Sequence, residues 1–267
     1  MTRLVVLGSG SKGNALALQA EGHALLVDAG FSVRELRRRA ALGGVAIEEV
    51  RGIALTHEHG DHTAGAAALA RELDVPLYAS GGTFERLRAR AGRVRHAPLS
   101  MGPPAECGPF RIEAAATSHD AAEPLALAVS VGRVSVGVAY DLGRPTAAVR
   151  YLLRGRTALV VEANHDDVLL RTSEYPPVVQ QRIAGAGGHL SNRAAAELVA
   201  ELVHAELALV VLAHLSERCN TEDHARAAVG PALSAAGFTG VLHVARQGEL
   251  TGPFALEGAG AMELPLG

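Results

Sequence analysis

Thr56-His57-Glu58-His59-Gly60-Asp61-His62 sets three imidazoles and two carboxylates directly behind the apolar run Gly52-Ile53-Ala54-Leu55. In an extended segment side chains alternate, so His57 and His59 project to the same side and can grip one ion. Asp61 and His62 follow in the turn and can reach a second. Three histidines so close together behind a buried-looking strand are poor material for an ordinary solvated loop, and we read a two-metal site. A competing use of Asp61, as N-cap of a helix over Ala64–Leu73, is compatible with that reading.

A two-metal site needs more donors, and they belong at the ends of other strands, where loops converge. Thr117-Ser118-His119-Asp120 follows the apolar-alternating stretch Phe110 to Ala116, which makes His119 the third imidazole of the first ion. Val134 to Tyr140 delivers Asp141, a carboxylate able to bridge both ions. Leu207 to Ala213 ends on His214, a terminal ligand for the second. Taken alone, His119 and Asp141 also read as a polar loop residue and a turn residue; their strand-end positions favour ligation.

Gly188-His189-Leu190-Ser191-Asn192 precedes a helix over Asn192–His204, where free backbone amides favour a phosphate. His189 is a candidate proton donor to a leaving alkoxide, while Ser191 or Asn192 also reads as a simple helix cap. Glu162, Asn164, His165 and Asp166 follow another buried-looking strand. Glu162 reads as support for His189 or a metal histidine, and Asn164 and His165 as contacts to a substrate end. Asp28 closes the strand His23–Asp28 as a buried structural carboxylate near the ligand loops. Asn14 can hydrogen-bond near the site from a Gly-rich turn, which lacks the Gly-Lys-Ser/Thr of a phosphate-binding loop.

The order Asp28, His57-x-His59-x-Asp61-His62, His119, Asp141, His214 resembles that of the metallo-β-lactamase-fold hydrolases over nearly the whole chain. Leu7-Gly8-Ser9-Gly10-Ser11-Lys12-Gly13-Asn14, Ser118-His119-Asp120-Ala121, Glu162-Ala163-Asn164-His165-Asp166, Gly188 to Asn192 and His214-Leu215-Ser216 together resemble the YycJ/WalJ branch. That branch is related to ribonuclease Z and is regarded as DNA exonucleases. The chain departs from the pattern after Ser216, where Glu217-Arg218-Cys219-Asn220 stands in place of an Asn-rich turn.

The resemblance implies a four-layer αββα sandwich of two mixed β-sheets with helices on the outer faces. It also implies His189 as leaving-group acid, with Ser191 and Asn192 as phosphate contacts. The interval from Asp141 to His189 is too short for the β-CASP domain that ribonuclease J-type enzymes insert there. Helix and strand patterns fill the interval from His62 to His119, which leaves no obvious long tRNA-gripping arm of the ribonuclease Z kind.

These residues lead us to expect two divalent ions, about 3.5–4 Å apart, that hold a bridging hydroxide and clamp a phosphoryl oxygen, with Asp61 orienting the water. Imidazole and carboxylate donors without thiolate suit Zn²⁺, Mn²⁺ or Fe²⁺. Mn²⁺ is expected to support phosphodiester cleavage and Zn²⁺ to be a frequent occupant. His59, at the place where di-iron redox members carry Glu, favours hydrolysis. The expected function is DNA exonuclease, 5′ to 3′, with RNA as a second candidate substrate. The fold hosts other hydrolases, so a glyoxalase-like hydrolase of small thioesters or esters is the alternative enzyme. A non-catalytic metal-binding protein is the alternative of another class.

Composition sets outer bounds. The proposed ligands run from the first quarter to the last fifth of the 267 residues, so we read one catalytic domain over 1–267. With 48% hydrophobic residues but only nine Phe and Tyr and no Trp, Ala, Leu and Val must fill the core. A net charge of −3 and a pI near 6.5 lack the basic footprint of a nucleic-acid binder. Bound divalent ions, and Arg144, Arg150, Arg154, Arg156, Arg171, Arg182 and Arg193 in the half that would rim the site, are a counterweight; the same arginines also read as solvated helix faces. Cys107 and Cys219 are the only cysteines, and Cys219 reads as a filler thiol. Few cysteines and a strand pattern from the first residues lead us to expect a cytoplasmic protein. No run approaches the eighteen or so apolar residues of a membrane span.

Periodicity predicts strands at Leu4–Leu7, Ala15–Gln19 and His23–Asp28, then Arg111–Ala116, Leu125–Val131, Val134–Ala139, Ala158–Glu162, Leu207–Ala213 and Gly240–Val244. Helices are predicted near Ser32–Leu42, Ala64–Leu73, Gly82–Ala91, Pro145–Leu153, Pro176–Ala184, Asn192–His204 and Thr221–Ala236. The pattern by itself yields an α/β fold.

Overall fold

The computed structural model of the protein describes residues 1–257 and 260–265. Strands β1 (Thr2–Gly8), β2 (Ala15–Ala20), β3 (His23–Val27), β4 (Val50–Ala54), β5 (Leu77–Ala79) and β6 (His96–Pro98) lie side by side in chain order. A second sheet holds β7 (Ala105–Cys107), β8 (Phe110–Ala116), β9 (Leu125–Val131), β10 (Val134–Ala139), β11 (Ala158–Glu162), β12 (Leu209–Ala213) and β13 (Val241–Val244), again in chain order. The chain then crosses back, and β14 (Thr251–Glu257) and β15 (Gly260–Glu263) extend the first sheet beyond β1.

Alternation along β1 shows how the layers arise. Leu4 and Val6 face inward, where they pack with Leu16, Leu127, Val138 and Val211 from both sheets. Val5 and Leu7 face the other way, onto helices α1 (Val33–Leu42), α3 (Ala66–Leu73) and α4 (Gly81–Ala91); a short helix α2 (Gly60–Thr63) precedes α3. Helix α5 (Ala147–Leu153) covers the second sheet together with α8 (Asn192–Glu201) and α9 (Glu222–Ala235), through Leu152, Leu198 and Val229. Between α5 and α8 come α6 (Asp167–Arg171) and α7 (Pro177–Ala184). Two mixed sheets with helices outside make four layers, as expected. Strands β10 to β12 are nearly all Ala, Leu and Val because both of their faces are covered.

Side-chain caps define the helix starts: Ser32, Ser80, Thr146, Asp166, Ser191 and Thr221 each accept a first-turn N–H. Two predicted helices need correction. The helix expected over Ala64–Leu73 begins only at Ala66, as α3, and the separate short helix α2 lies before it; the break falls at Gly65, whose N–H donates to the Ala29 carbonyl (2.9 Å) and whose missing Cβ would sit 2.2 Å from the Phe31 carbonyl. The helix predicted to His204 stops at Glu201, and the His204 ring reaches the Arg156 carbonyl (3.1 Å). Strands β5, β6, β7, β14 and β15, all but β14 of three or four residues, are too short or too irregular for periodicity to show.

Strands β3 and β4 are parallel, as are β10, β11 and β12. Antiparallel pairing through β9 brings β8 into the same direction as β10. Their carboxyl ends therefore open along one edge of the sandwich, and their loops meet there.

Candidate metal centre

Every strand end along that edge carries a polar residue from the sequence reading. Asp28 follows β3, His57 and His59 follow β4, His119 follows β8, Asp141 follows β10, Glu162 ends β11 and His214 follows β12. Asp28, Asp141 and His214 adopt left-handed backbone, with φ of 59°, 56° and 57°. For residues with a Cβ this costs of order 1 kcal/mol or more each, and such strain concentrates at functional sites. Neighbouring bonds hold it in place: the Asp28 N–H donates to the Ala54 carbonyl (2.8 Å) and the His214 N–H to Ser9 Oγ (2.7 Å).

Four groups of side chains converge. His57, His59 and His119 can each bring one ring nitrogen within 4.8 Å of the others, and so can Asp61, His62 and His214 through a carboxylate oxygen and two ring nitrogens. His57, His62 and Asp141 form a third such group, and Asp141, Glu162, His189 and His214 a fourth. Asp141 thus lies between the two imidazole sets, with Oδ2 3.6 Å from His57 Nε2 and 2.7 Å from His62 Nε2. Donors sharing one tetrahedral ion with bonds of about 2.0–2.1 Å stand about 3.3 Å apart, so the His57 separation suits a cation between the two groups, while the closer His62 pair must open to admit one.

The outward nitrogens are engaged. His57 Nδ1 faces Thr56 Oγ1 (3.0 Å), His62 Nδ1 faces Asp28 Oδ2 (2.7 Å), His119 Nδ1 faces the Gly188 carbonyl (3.2 Å) and His214 Nδ1 faces Glu162 Oε1 (3.2 Å). Donation from each Nδ1 leaves a lone pair on Nε2 pointing inward. His57 Nε2 and His214 Nε2 are buried without a hydrogen-bond partner, a deficit that a cation removes. His59 presents its other nitrogen: Nδ1 lies 3.4 Å from His119 Nε2. The donors therefore fit divalent metal ions.

Packing fixes the carboxylates as well. Asp61 sits within α2 rather than at its N-cap, which is His59. Its carbonyl oxygen would be 1.7 Å from a Cβ on residue 30, so only glycine fits at Gly30. Burial opposes ionisation of Asp61, but the neighbouring His214 and His62 rings, 3.6 and 3.5 Å from its Oδ2, hold its pKa well below the usual carboxylate range. Asp141, fully enclosed, is held down in the same way by His214 and His62 against the effect of burial.

Glu162 links the centre to its neighbour His189. Its Oε1 lies 2.7 Å from His189 Nδ1 and 3.2 Å from His214 Nδ1, while Oε2 accepts the Leu142 N–H (2.7 Å) and Leu190 N–H (3.1 Å). Burial acts against its charge, yet the His189 charge and hydrogen bond bring its pKa down to about 2. For His189, burial works against protonation and is outweighed by Glu162 and Asp141, which push the pKa up to about 10. A cleft of about 230 Å³ opens beside His189 and His214 and is also walled by Asn164, Tyr175 and Arg218.

A family model described as the beta-lactamase superfamily domain matches residues 23–215, a span that holds Asp28 and every residue of the convergent groups. The chain belongs to the metallo-β-lactamase-fold superfamily. It is 34% identical over 236 residues to the exodeoxyribonuclease YycJ of Bacillus anthracis, covering 87% of this chain and 89% of that protein. It is 31% identical over 223 residues to the exodeoxyribonuclease WalJ of Streptococcus pneumoniae, covering 82% and 83%. The metallo-β-lactamase-fold protein YhfI of Bacillus subtilis shares the fold, with a TM-score of 0.70 at 19% identity over 94% of this chain and 98% of that one. The protein is a metallo-hydrolase of this superfamily.

Other residues singled out from the sequence fall at varying distances from the centre. Asp28 is fully buried and accepts from Thr56 N–H and Oγ1 (both 2.8 Å) as well as facing His62. Asn14 Oδ1 accepts the Gly10 N–H (2.8 Å), and its Nδ2 lies 3.4 Å from Asp61 Oδ2. Asn164 lines the cleft while its amide donates to the His214 carbonyl (2.8 Å). Three expected substrate contacts sit otherwise. Ser191 caps α8, the Asn192 side chain is buried in a reciprocal amide pair with Asn220 (2.8 Å each way), and His165 is buried behind them, its carbonyl accepting the Asn192 N–H. Ser191 Oγ, the Asn192 amide and the His165 carbonyl are used to cap α8 and to join the β11 and α8 loops, while His165 Nδ1 is buried without a partner. Among the arginines named from sequence, Arg182 borders the His119–His189 side and pairs with Asp120 (3.0 Å), whereas Arg150 and Arg156 pair with Glu201 and Glu113.

Two residues of the site have roles that the sequence does not signal: Thr56, the link between His57 and Asp28, and Glu58, whose Oε1 accepts the Ala122 N–H (2.7 Å) beyond His119. Tyr175 is a third, although Tyr175-Pro176-Pro177 is a legible rigid turn.

Proposed function

We propose that the protein is a divalent-metal-dependent phosphodiesterase that removes nucleotides from a DNA end in the 5′ to 3′ direction. His57, His59 and His119 would hold one ion, Asp61, His62 and His214 a second, and Asp141 both. Such ions supply Lewis-acid polarisation of a phosphoryl oxygen and a more acidic attacking water. Asp61, ionised and a quarter exposed at its side chain, would orient such a water and take up its proton.

The observation that carries the reading is His189. It stands beside the convergent donors with Nδ1 held by Glu162, and its ring lines the cleft. A phosphodiester expels an alkoxide that needs a proton; a thioester expels a thiolate that does not. A histidine braced by the Glu162 carboxylate beside the donors is suited to the first reaction and superfluous for the second. The exodeoxyribonuclease names of the two relatives support the choice of DNA.

We take residues 1–267 as one catalytic domain without an inserted β-CASP domain, because β14 pairs with β1 and closes the first sheet on the same body that holds the site. We assign it to the cytoplasm, where the buried thiols of Cys107 and Cys219 stay reduced. Among the described residues, no helix is long and apolar enough to cross a membrane.

The test is Mn²⁺-dependent digestion of 5′- and 3′-end-labelled DNA, single- and double-stranded, by wild type and Asp61→Asn. Release of label from the 5′ end by wild type alone is expected. Intact DNA with metal verifiably bound would transfer the assignment to a small ester or thioester.

A further inference from the structure

Two cavities meet at one pair of side chains. The cleft beside His189 and His214 has Tyr175 and Arg218 in its wall, and so does a neighbouring cavity of about 360 Å³ that runs toward Thr172–Glu174. The Arg218 guanidinium lies over the Tyr175 ring, 5.3 Å from its centroid. Arg218 has no carboxylate partner among the described residues, unlike Arg182 on the other side of the cleft, which pairs with Asp120.

The aromatic census makes Tyr175 distinctive. Phe110, Phe254, Tyr78 and Tyr140 are buried, and Phe31, Phe84 and Phe238 pack against the core. Tyr151 is 80% exposed on α5, leaving Tyr175 as the one Phe or Tyr ring in the wall of the cleft beside His189 and His214. Its position is braced: Gln180 on α7 donates to both the Tyr175 carbonyl (2.9 Å) and the Ser173 carbonyl (3.3 Å), and Pro176 follows at once. A half-buried, braced ring beside an unpaired guanidinium matches what a nucleotide requires, a face for its base and a cation for its phosphate.

We propose that Tyr175 and Arg218 form a nucleotide subsite next to the reacting centre, in which Tyr175 stacks on one base of the substrate strand and Arg218 contacts an adjacent phosphate. This rests on the phosphodiesterase reading and adds to it the feature that recognises a nucleic-acid strand in a protein of net charge −3. Stacking is indifferent to base identity, so the subsite selects for the presence of a base and not for its sequence. It also gives a function to Arg218 within the Glu217-Arg218-Cys219-Asn220 turn.

The test has two arms. In the first, binding of a fluorescent single-stranded oligothymidylate is followed by anisotropy in an Asp61→Asn background, which keeps the strand intact. Tyr175→Ala should weaken binding about tenfold, with Tyr175→Trp restoring it. Arg218→Ala should lower the slope of log affinity against log salt by about one phosphate contact. One abasic residue, moved along the strand, should cost the Tyr175 protein about tenfold at a single position and cost Tyr175→Ala nothing further there. Equal affinities for the Tyr175 and Tyr175→Ala proteins, or an abasic penalty independent of residue 175, would overturn the subsite. In the second arm, Mn²⁺-dependent turnover by the otherwise wild-type chain should show KM raised by Tyr175→Ala with kcat little changed. Cleavage with unchanged KM sinks the subsite alone, whereas absence of cleavage by wild type with binding still dependent on Tyr175 sinks the phosphodiesterase reading alone. Parallel RNA and DNA strands show which sugar the subsite accepts.

Discussion

Asp28 and His62 are both fully buried, and Asp28 Oδ2 stands 2.7 Å from His62 Nδ1. Asp28 also accepts two hydrogen bonds from Thr56 and keeps a left-handed backbone to do so. The carboxylate fixes His62 with Nε2 facing Asp141 and, through Thr56, steadies His57. Asp28→Asn, nearly isosteric, should therefore weaken metal binding about 10–100-fold while the protein stays folded. Metal titration with circular dichroism as the folding control measures this; unchanged affinity would remove Asp28 from the site.

His189→Ala separates two chemistries. Loss of the proton donor should lower kcat on a phosphodiester by about 10²–10⁴-fold with the metal content intact. The same substitution should leave a thioester-cleaving enzyme almost untouched. Glu162→Gln should follow in the same direction with a smaller effect on His189 and an added loss of metal, because Glu162 holds His214 as well. An unchanged turnover in His189→Ala would refute the leaving-group role.

Bound ions should raise the melting temperature. Asp61 and Asp141 bring two carboxylates into one pocket with buried, unpartnered His57 Nε2 and His214 Nε2, so filling it favours the folded state. At about a thousandfold excess over Kd the gain is about 4 kcal/mol, and in a chain of this size each kcal/mol moves Tm by about 2–4 °C. Differential scanning fluorimetry with chelator, Mn²⁺ or Zn²⁺ tests it, and Asp141→Asn should erase most of the shift.

Arg39 is a stability determinant outside the site. Only 7% exposed, it donates to the Leu7 carbonyl (2.7 Å) and the Gly248 carbonyl (3.1 Å), pairs with Glu35 (2.7 Å) and covers the Phe31 ring at 4.3 Å. Arg39→Met should cost about 3 kcal/mol in urea unfolding, since the buried Leu7 carbonyl loses its donor.

Acid should weaken the same corner. Hydrogen bonds from Arg38, opposed by burial and aided by Arg39, bring the Glu35 pKa down to about 2. A carboxylate depressed on folding stabilises above its unfolded value, near 4.3, and that contribution fades as pH falls toward about 2. Arg38 is exposed and solvent screens the pair, so the loss is about 1 kcal/mol or less. Wild type and Glu35→Gln should differ in unfolding free energy at neutral pH and converge in acid; a constant difference would contradict the ion-pair account.

The amino-acid sequence alone determined most of the strands and helices of this protein and the polar residues at their ends. Alternation in strands such as Val134–Ala139 and the His57-x-His59-x-Asp61-His62 spacing are local properties, governed by the period of an extended chain and the reach of one turn. Tertiary structure decided what depends on segments far apart in the chain. It brought β14 back beside β1, chose the Nδ1 of His59 where its partners present Nε2, and consumed Ser191 and Asn192 in a cap and an amide pair. It also set Arg218 over Tyr175, two residues separated by the whole of α7, α8 and β12. Hydrogen-bond partners and side-chain facing follow from packing across that separation, and no local period encodes them.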